Sequence, residues 1–234
     1  MYQIAKNIRL NILKTANHAG SNSAHIGGAL SLVEIFSGLF SSYISKTSKS
    51  FPKKIILSKG HACLVLYSSL AEFKRISHKE LLTFEKNNSK LLGHPVKNEK
   101  KGIEFSSGSL GMGLSYAAGL SFGYNFDKKK HQIFVVIGDG ECNEGSIWEA
   151  AMTISHHNLI NITIILDANG YQQTGKTKDI LDLKNLEKKW QGFGFHTIKI
   201  DGHNFIQINK ALSKKIKKPK IIIAIFFPDF KNLI

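Results

Sequence analysis

The chain reads as α/β, an open and mostly parallel sheet with helices on both faces, organised as one domain over residues 1–234. Three observations carry that reading. Ile133 to Ile137 and Ile162 to Leu166 are short unbroken apolar runs rich in β-branched residues, the pattern of strands buried on both faces. An amphipathic stretch from Glu144 to Asn158 lies between them and completes a strand–helix–strand unit. Each run ends in a polar turn, Gly138-Asp139-Gly140 after the first and Asp167-Ala168-Asn169-Gly170 after the second. Asp139 and Asn169 therefore emerge together at the carboxyl edge, where open α/β sheets bind their ligands.

Composition sets the limits. A chain of 234 residues with 42% hydrophobic content buries a full core within one domain. The net charge of +15 is unusually basic, but the lysines fall in short scattered clusters such as Lys128 to Lys130 and Lys214 to Lys218, without interleaved aromatics. They read as solvated surface charge that suits small anionic ligands, and no nucleic acid partner is expected. Cys63 and Cys142 are far apart and lack metal-ligand spacing, which predicts reduced thiols and a cytoplasmic location, with Cys142 a small packing residue. No apolar run approaches a membrane span and the N-terminal stretch lacks a signal peptide's hydrophobic region, so no membrane association is expected.

The remaining elements follow in order. Ile4, Ile8, Ile12 and Ala16 recur at helical spacing and predict one helix over residues 2–19. Ser31-Leu32-Val33-Glu34 has the form of a capping box, after which Leu32, Ile35, Phe36, Leu39, Phe40 and Tyr43 trace an apolar face for the core or a subunit interface. Ser45 to Lys54 reads as a loop and Ile55 to Leu57 as a strand. Helices are expected over Ala62 to Phe73, from a Ser77 cap with His78 on its surface, and over Leu114 to Gly123. His156 and His157 close the Glu144–Asn158 helix, and Trp190 and Phe193 are packing residues. A last helix, about Phe205 to Lys217, leads to a strand over Ile221 to Phe227, and His203 in the Asp201-Gly202-His203-Asn204 turn is structural.

The two central turns supply hard oxygen donors, a carboxylate from Asp139 and an amide oxygen from Asn169. These suit Mg²⁺ or Ca²⁺ held together with a backbone carbonyl, water and phosphate oxygens. Gly138 and Gly140 let the backbone turn sharply and approach a phosphate, and the start of the following helix would present free N–H groups to the anion. A diphosphate bridged by a divalent metal fits this edge.

GDGECNEGSIWEAAM followed by DANGYQQTG resembles the thiamine diphosphate signature, and specifically the transketolase family, with likeness across nearly the whole chain. The resemblance implies the N-terminal, thiamine diphosphate-binding subunit of a split transketolase. It implies that the backbone carbonyl of Tyr171 completes the metal ligands. Ser23-Ala24-His25-Ile26-Gly27-Gly28 resembles the family's SGHPGG loop, with Ile26 in place of the proline and Ala24 in place of the first glycine, and assigns His25 to substrate. Ser58-Lys59-Gly60-His61-Ala62 resembles SKGHA and assigns His61 to phosphate or substrate. Gly93-His94-Pro95 matches the GHP turn and assigns His94 to the substrate side. FSSGSLGMG resembles the GxLGxG stretch and assigns Gly108 and Leu110 to the cofactor; a dinucleotide fingerprint would instead follow a strong strand, which FSS is not. Glu144, favoured at a helix start by the dipole, corresponds to the family's acidic residue linking two active sites.

By the same resemblance, the glutamate that activates the aminopyrimidine lies on a pyrimidine-binding domain that nothing in this sequence matches. The expectation is a companion C-terminal transketolase subunit carrying that domain, in an α₂β₂ assembly acting on sugars or sugar phosphates. Relatives run on past the last strand into a segment resembling TxxGxG, where this sequence reads Pro228 to Ile234. Alone, the chain is expected to bind Mg²⁺ and diphosphate weakly and to transfer no ketol unit. Deoxyxylulose phosphate synthase and the ketoacid dehydrogenases share the cofactor turn, but EGSIWEAAM and GHP favour transketolase. A truncated relative serving as an assembly or regulatory module is the reading from another class.

Overall fold

Helix α1 (Tyr2–Ala19) buries Ala5, Ile8, Ile12, Thr15 and Ala19, the stripe expected from its spacing. The computed structural model describes residues 1–20, 24–44, 53–129 and 131–226. Ser23, most of the Ser45–Lys54 loop, Lys130, Phe227 and the Pro228–Ile234 end lie outside the described residues. α2 (Ile26–Leu30) starts directly after His25, and α3 (Val33–Tyr43) is buried from Val33 to Phe40. The expected capping box does not form. Leu32 holds the cap position of α3 without a side-chain bond, because Glu34 faces Arg9 of α1 at 2.5 Å, a charge-assisted pair stronger than a cap contact.

β1 (Lys53–Leu57) begins two residues before the expected strand. Both extra lysines have partners, Lys54 with the buried Glu104 at 2.8 Å and Lys53 above the Tyr43 ring. A single 3₁₀ turn, Gly60–Ala62, precedes α4 (Cys63–Glu72), and α5 (His78–Leu81) is one turn capped by Ser77 as expected. α6 (Met112–Phe126) is longer than predicted at both ends and starts from Gly111, whose φ of 82° is open to glycine at little cost. Then come β2 (Gln132–Gly138), a 3₁₀ turn Gly140–Asn143, α7 (Gly145–His156) and β3 (Ile162–Ala168). A small hairpin, β4 (Tyr171–Gln172) with β5 (Gly175–Lys176), leads to α8 (Thr177–Ile180), α9 (Leu186–Gly192) and β6 (His196–Asp201). α10 (Phe205–Ser213) and β7 (Lys220–Ile225) complete the described chain. α10 ends four residues short of Lys217 because the buried Lys220 ammonium donates to the carbonyls of Ala211 (2.9 Å), Leu212 (3.2 Å) and Lys214 (2.9 Å). The side chain thereby satisfies oxygens that a helix end leaves free.

The five long strands pair in parallel in the order β1-β2-β3-β7-β6. Phe134, Val136, Ile165 and Ile222 face a core shared with α1, α3, α4 and α10, while Ile133, Val135, Ile137, Ile164 and Leu166 face the core of α6, α7 and α9. Alternate residues thus feed opposite layers, which is why the strands read as unbroken apolar runs. Trp190 is fully buried and Phe193 stacks on Trp148 at 5.2 Å, both packing residues as expected. His157 sits edge-on to Phe122 at the end of α7, and His203 lies 3.7 Å from Glu34. Cys142 is buried with its thiol pushed well above the ordinary range by desolvation, and burial raises Cys63 to about 12, so neither is a nucleophile. Among the described residues no helix is long and apolar enough to cross a membrane.

Candidate active site

Turns from three strands meet at the carboxyl edge, together with the segment around His25. The register of β2 on β3 sets Gly138 opposite Asp167, so Asp139 and Asn169 leave adjacent strand ends. The Asp139 carboxylate accepts from the Gly140 amide (2.8 Å), the Gly170 amide (2.8 Å) and the Thr177 hydroxyl (3.3 Å), clamping one turn to the other. It is only 5% exposed, and desolvation pushes its carboxyl up, opposed by the Gly170 N–H. Asn169 donates from Nδ2 to Asp167 (3.1 Å) and accepts at Oδ1 from the Tyr171 amide (2.9 Å). Tyr171 itself opens the β4–β5 hairpin, pairing with Lys176, which fixes the backbone whose carbonyl is the expected third ligand.

Among the described residues no three or more His, Cys, Asp or Glu side chains are grouped to hold an ion. A metal at this edge would draw on one carboxylate, one amide oxygen, a carbonyl and ligand oxygens, a set whose chemistry fits Mg²⁺ or Ca²⁺.

The helix after the GDG turn starts where the Glu144–Asn158 pattern places it. α7 begins at Gly145 with Glu144 at its cap position, after the 3₁₀ turn. The intervening turn is shaped by Glu141, 2% exposed, whose carboxylate accepts from the Ser58 hydroxyl (2.5 Å) and the amides of Gly111 (2.9 Å) and Gly138 (3.1 Å). Winding Glu141 inward tightens the chain and occupies the Gly138 N–H. Gly140 lies against Gln172, whose Cβ is 2.7 Å from where a Cβ on Gly140 would be, so this position admits no side chain.

The three expected histidines cluster. The His25 ring centroid is 5.7 Å from that of His61 and 6.4 Å from that of His94. The GHP turn is pinned by the Cys63 thiol donating to the Gly93 carbonyl (3.1 Å) and the Ser107 amide donating to the Pro95 carbonyl (3.1 Å). Burial, then the nearby Lys59, His25 and His94, lower His61 to about 4. Near neutrality it is an uncharged imidazole with one donor and one acceptor nitrogen. Its folded form binds fewer protons than the unfolded chain between about 4 and 6.5, so its contribution is present above 6.5 and lost as pH falls toward 4. His61→Gln is expected to remove a pH-dependent loss of order 2 kcal/mol across that window, read by urea denaturation of variant and parent at both ends.

In FSSGSLGMG the glycines divide by role. A Cβ on Gly113 would lie 2.5 Å from Ser58 Cβ, and Gly111 lies against Glu144 and Ser146, so these two serve close packing. Gly108 faces open space and Leu110 is half-buried, so neither position is taken up by close packing of this kind. Glu144 is exposed at the cap position of α7, makes no cap bond, and flanks Gly111.

Sequence reasoning passed over Lys59, Asp167, Ser31, Ser58 and Glu141, all of them engaged at this edge. Lys59 Nζ pairs with Asp167 at 2.6 Å, both fully or nearly buried. The available signal was a charged residue closing an apolar strand, Ile-Ile-Leu-Asp, with a lysine next to a motif histidine.

A parallel sheet with a glycine-flanked carboxylate, an adjacent amide and a histidine cluster at its carboxyl edge defines a diphosphate-holding α/β domain. The chain belongs to the transketolase family, whose thiamine diphosphate binding domain matches residues 2–225. It is 38% identical over 226 residues to one of the subunits of the apulose-4-phosphate transketolase of Actinobacillus succinogenes, covering 94% of this chain and 82% of that one. It is 36% identical to a 6-deoxy-6-sulfo-D-fructose transketolase subunit of a Clostridium species, covering 85% of this chain and 75% of that one. The crystal structure of the Campylobacter jejuni transketolase superposes with a TM-score of 0.85 at 30% identity, over 94% of this chain and 36% of that one. The chain thus spans most of the length of these two subunits and about a third of that transketolase.

Proposed function

We propose that this chain is the thiamine diphosphate-binding half of a two-chain transketolase, which moves a two-carbon ketol unit from a ketose or ketose phosphate to an aldose together with a companion subunit. The observation that carries it is the convergence, at one sheet edge, of Asp139 and Asn169 with His25, His61 and His94. The relatives named as transketolase subunits, covered over 82% and 75% of their lengths, support the two-chain form.

When bound, thiamine diphosphate supplies a thiazolium carbon that adds to a ketose carbonyl and an electron sink for cleavage of the adjoining bond. This chain's residues bind and orient. Asp139, Asn169 and the Tyr171 carbonyl hold Mg²⁺ or Ca²⁺ against the diphosphate, and the turns at Gly138 and Gly140 bring backbone close to it. Gly108 and Leu110 leave room for the flat ring. His61, uncharged, donates a hydrogen bond to phosphate or substrate oxygen without bringing a second positive charge beside Lys59. His25 and His94 face the same substrate region, and Glu144 lies at the contact with a second copy, within an α₂β₂ assembly. The companion's pyrimidine-binding domain provides the activating glutamate. The buried, unpaired thiols of Cys63 and Cys142 accord with a cytoplasmic enzyme.

The test is ketol transfer from a panel of free and phosphorylated ketoses to an aldose phosphate, with Mg²⁺ and thiamine diphosphate present. The chain alone is expected to give no turnover and the mixture with its companion to give saturable turnover. Turnover by the pure single chain, or none by a mixture that forms a stable complex, would refute the half-enzyme.

A further inference from the structure

We propose that Asp167, held by Lys59 and Ser31, is the positioning residue that fixes which end of the Asn169 amide faces the metal. The inference rests on the metal assignment made above. Oδ2 of Asp167 accepts from Lys59 Nζ (2.6 Å), Ser31 Oγ (2.7 Å) and Asn169 Nδ2 (3.1 Å). The two ends of an asparagine amide are nearly isosteric, yet only the oxygen ligates a cation. A carboxylate on one side accepts from the NH₂ end, and the Tyr171 amide on the other donates to the oxygen at 2.9 Å. Turning the amide over would set oxygen against oxygen and N–H against N–H.

Asp167 also reaches the other ligand, since its backbone carbonyl accepts from the Asp139 amide at 3.1 Å. One residue therefore holds Asn169 through its side chain and Asp139 through its main chain. Packing does not explain a charged pair here. Asp167 is 0% exposed, Lys59 is 2% exposed, and Oδ1 of Asp167 is buried without a hydrogen-bond partner among the described residues. An apolar pair of the same volume is commonly as stable or more so. Lys59 cancels the charge of Asp167 in a region that already holds Asp139. It also stands two residues before His61, so the pair joins the metal side of the edge to the histidine side.

Two double variants separate orientation from charge. Lys59→Met with Asp167→Asn removes both charges but keeps an acceptor oxygen for Asn169; Lys59→Met with Asp167→Leu keeps the volume and removes the acceptor. Calorimetric titration with Mg²⁺ and thiamine diphosphate is combined with proton–nitrogen correlation spectra of the free chain, in which the Asn169 side-chain signal is assigned by its loss in Asn169→Asp. The Asn-bearing variant is expected to bind within about threefold of the parent and to keep a slowly exchanging Asn169 amide. The Leu-bearing variant is expected to stay folded by circular dichroism, lose about ten- to a hundredfold in metal-dependent affinity, and show a fast-exchanging Asn169 amide. Equal behaviour of the two variants in both readouts overturns the proposal. So does a parent whose Asn169 amide exchanges as fast as that of an exposed asparagine, a result that needs no folded variant. A parent that fails to bind Mg²⁺ and thiamine diphosphate both alone and mixed with its companion subunit refutes the functional reading instead, and the Asn169 amide still decides the positioning role.

Discussion

Asp139→Ala is expected to weaken thiamine diphosphate binding in Mg²⁺ by about a hundredfold or more and to leave the residual binding indifferent to Mg²⁺. Asp139 is the only carboxylate among the three proposed ligands, so its removal takes away the charge that holds the ion. Alanine also deprives the Gly140 and Gly170 amides and the Thr177 hydroxyl of their acceptor, and these contacts clamp the two turns together. Asp139→Asn separates the effects, because it keeps a side-chain oxygen for part of the clamp while losing the charge. Burial raises the Asp139 carboxyl, so its stability contribution is present below the ordinary carboxylate range and lost as pH rises through the raised value. At neutral pH the asparagine variant is therefore expected to be as stable as the parent or more so, while binding at least tenfold more weakly. Titrations with Mg²⁺ and with a chelator, beside urea denaturation, read both quantities. Parent-like, Mg²⁺-dependent affinity in Asp139→Ala would remove Asp139 from the metal site.

How much of the fold and site is legible in the sequence depends on whether a residue acts along the chain or across it. The βαβ unit, the layering and the edge that carries Asp139 and Asn169 follow from local periodicity, because a strand buried on both faces must be apolar throughout and must change character where it leaves the sheet. The clustering of His25, His61 and His94 comes from motif resemblance; their spacing of tens of residues in sequence contains no distance information. What escapes the sequence is long-range. Ser31 and Glu34 look like a cap locally, but Asp167 and Arg9 compete for them from 136 and 25 residues away. α10 reads too long from its pattern because nothing in Lys214 to Lys217 reveals that Lys220 will fold back onto the helix end. Glu141 escapes notice because an acidic residue after an Asp-Gly turn is ordinarily solvent-facing, and only the tertiary fold supplies the three donors that draw it inside.

That buried carboxylate sets the second large effect. Glu141→Ala is expected to cost about 3 kcal/mol of stability, since it orphans the Ser58 hydroxyl and the Gly111 and Gly138 amides at roughly 1–3 kcal/mol each, offset in part by relief of a desolvated charge. Glu141→Gln should cost less, because one oxygen still accepts from Ser58 and Gly111 while the new NH₂ meets the Gly138 N–H. Its penalty should also depend on pH. Desolvation raises the Glu141 carboxyl, opposed by the bond from Ser58 and those from the two amides. The parent's advantage from this group is therefore full below the ordinary glutamate range and lost as pH rises through the raised value. Glutamine has no such titration, so the gap between variant and parent should be widest near pH 4 and narrow toward neutrality, as about 1–2 kcal/mol at its widest in urea denaturation. A gap that widens with pH instead would mean that the ionised carboxylate is fully compensated by its donors. The distinction matters for binding, because Ser58, Gly111 and Gly138 belong to three different site turns: the one leading to His61, the one following Gly108, and the one carrying Asp139. If Glu141 ties them together, Glu141→Ala loses affinity for thiamine diphosphate with and without Mg²⁺, whereas Asp139→Asn loses only the part that Mg²⁺ provides.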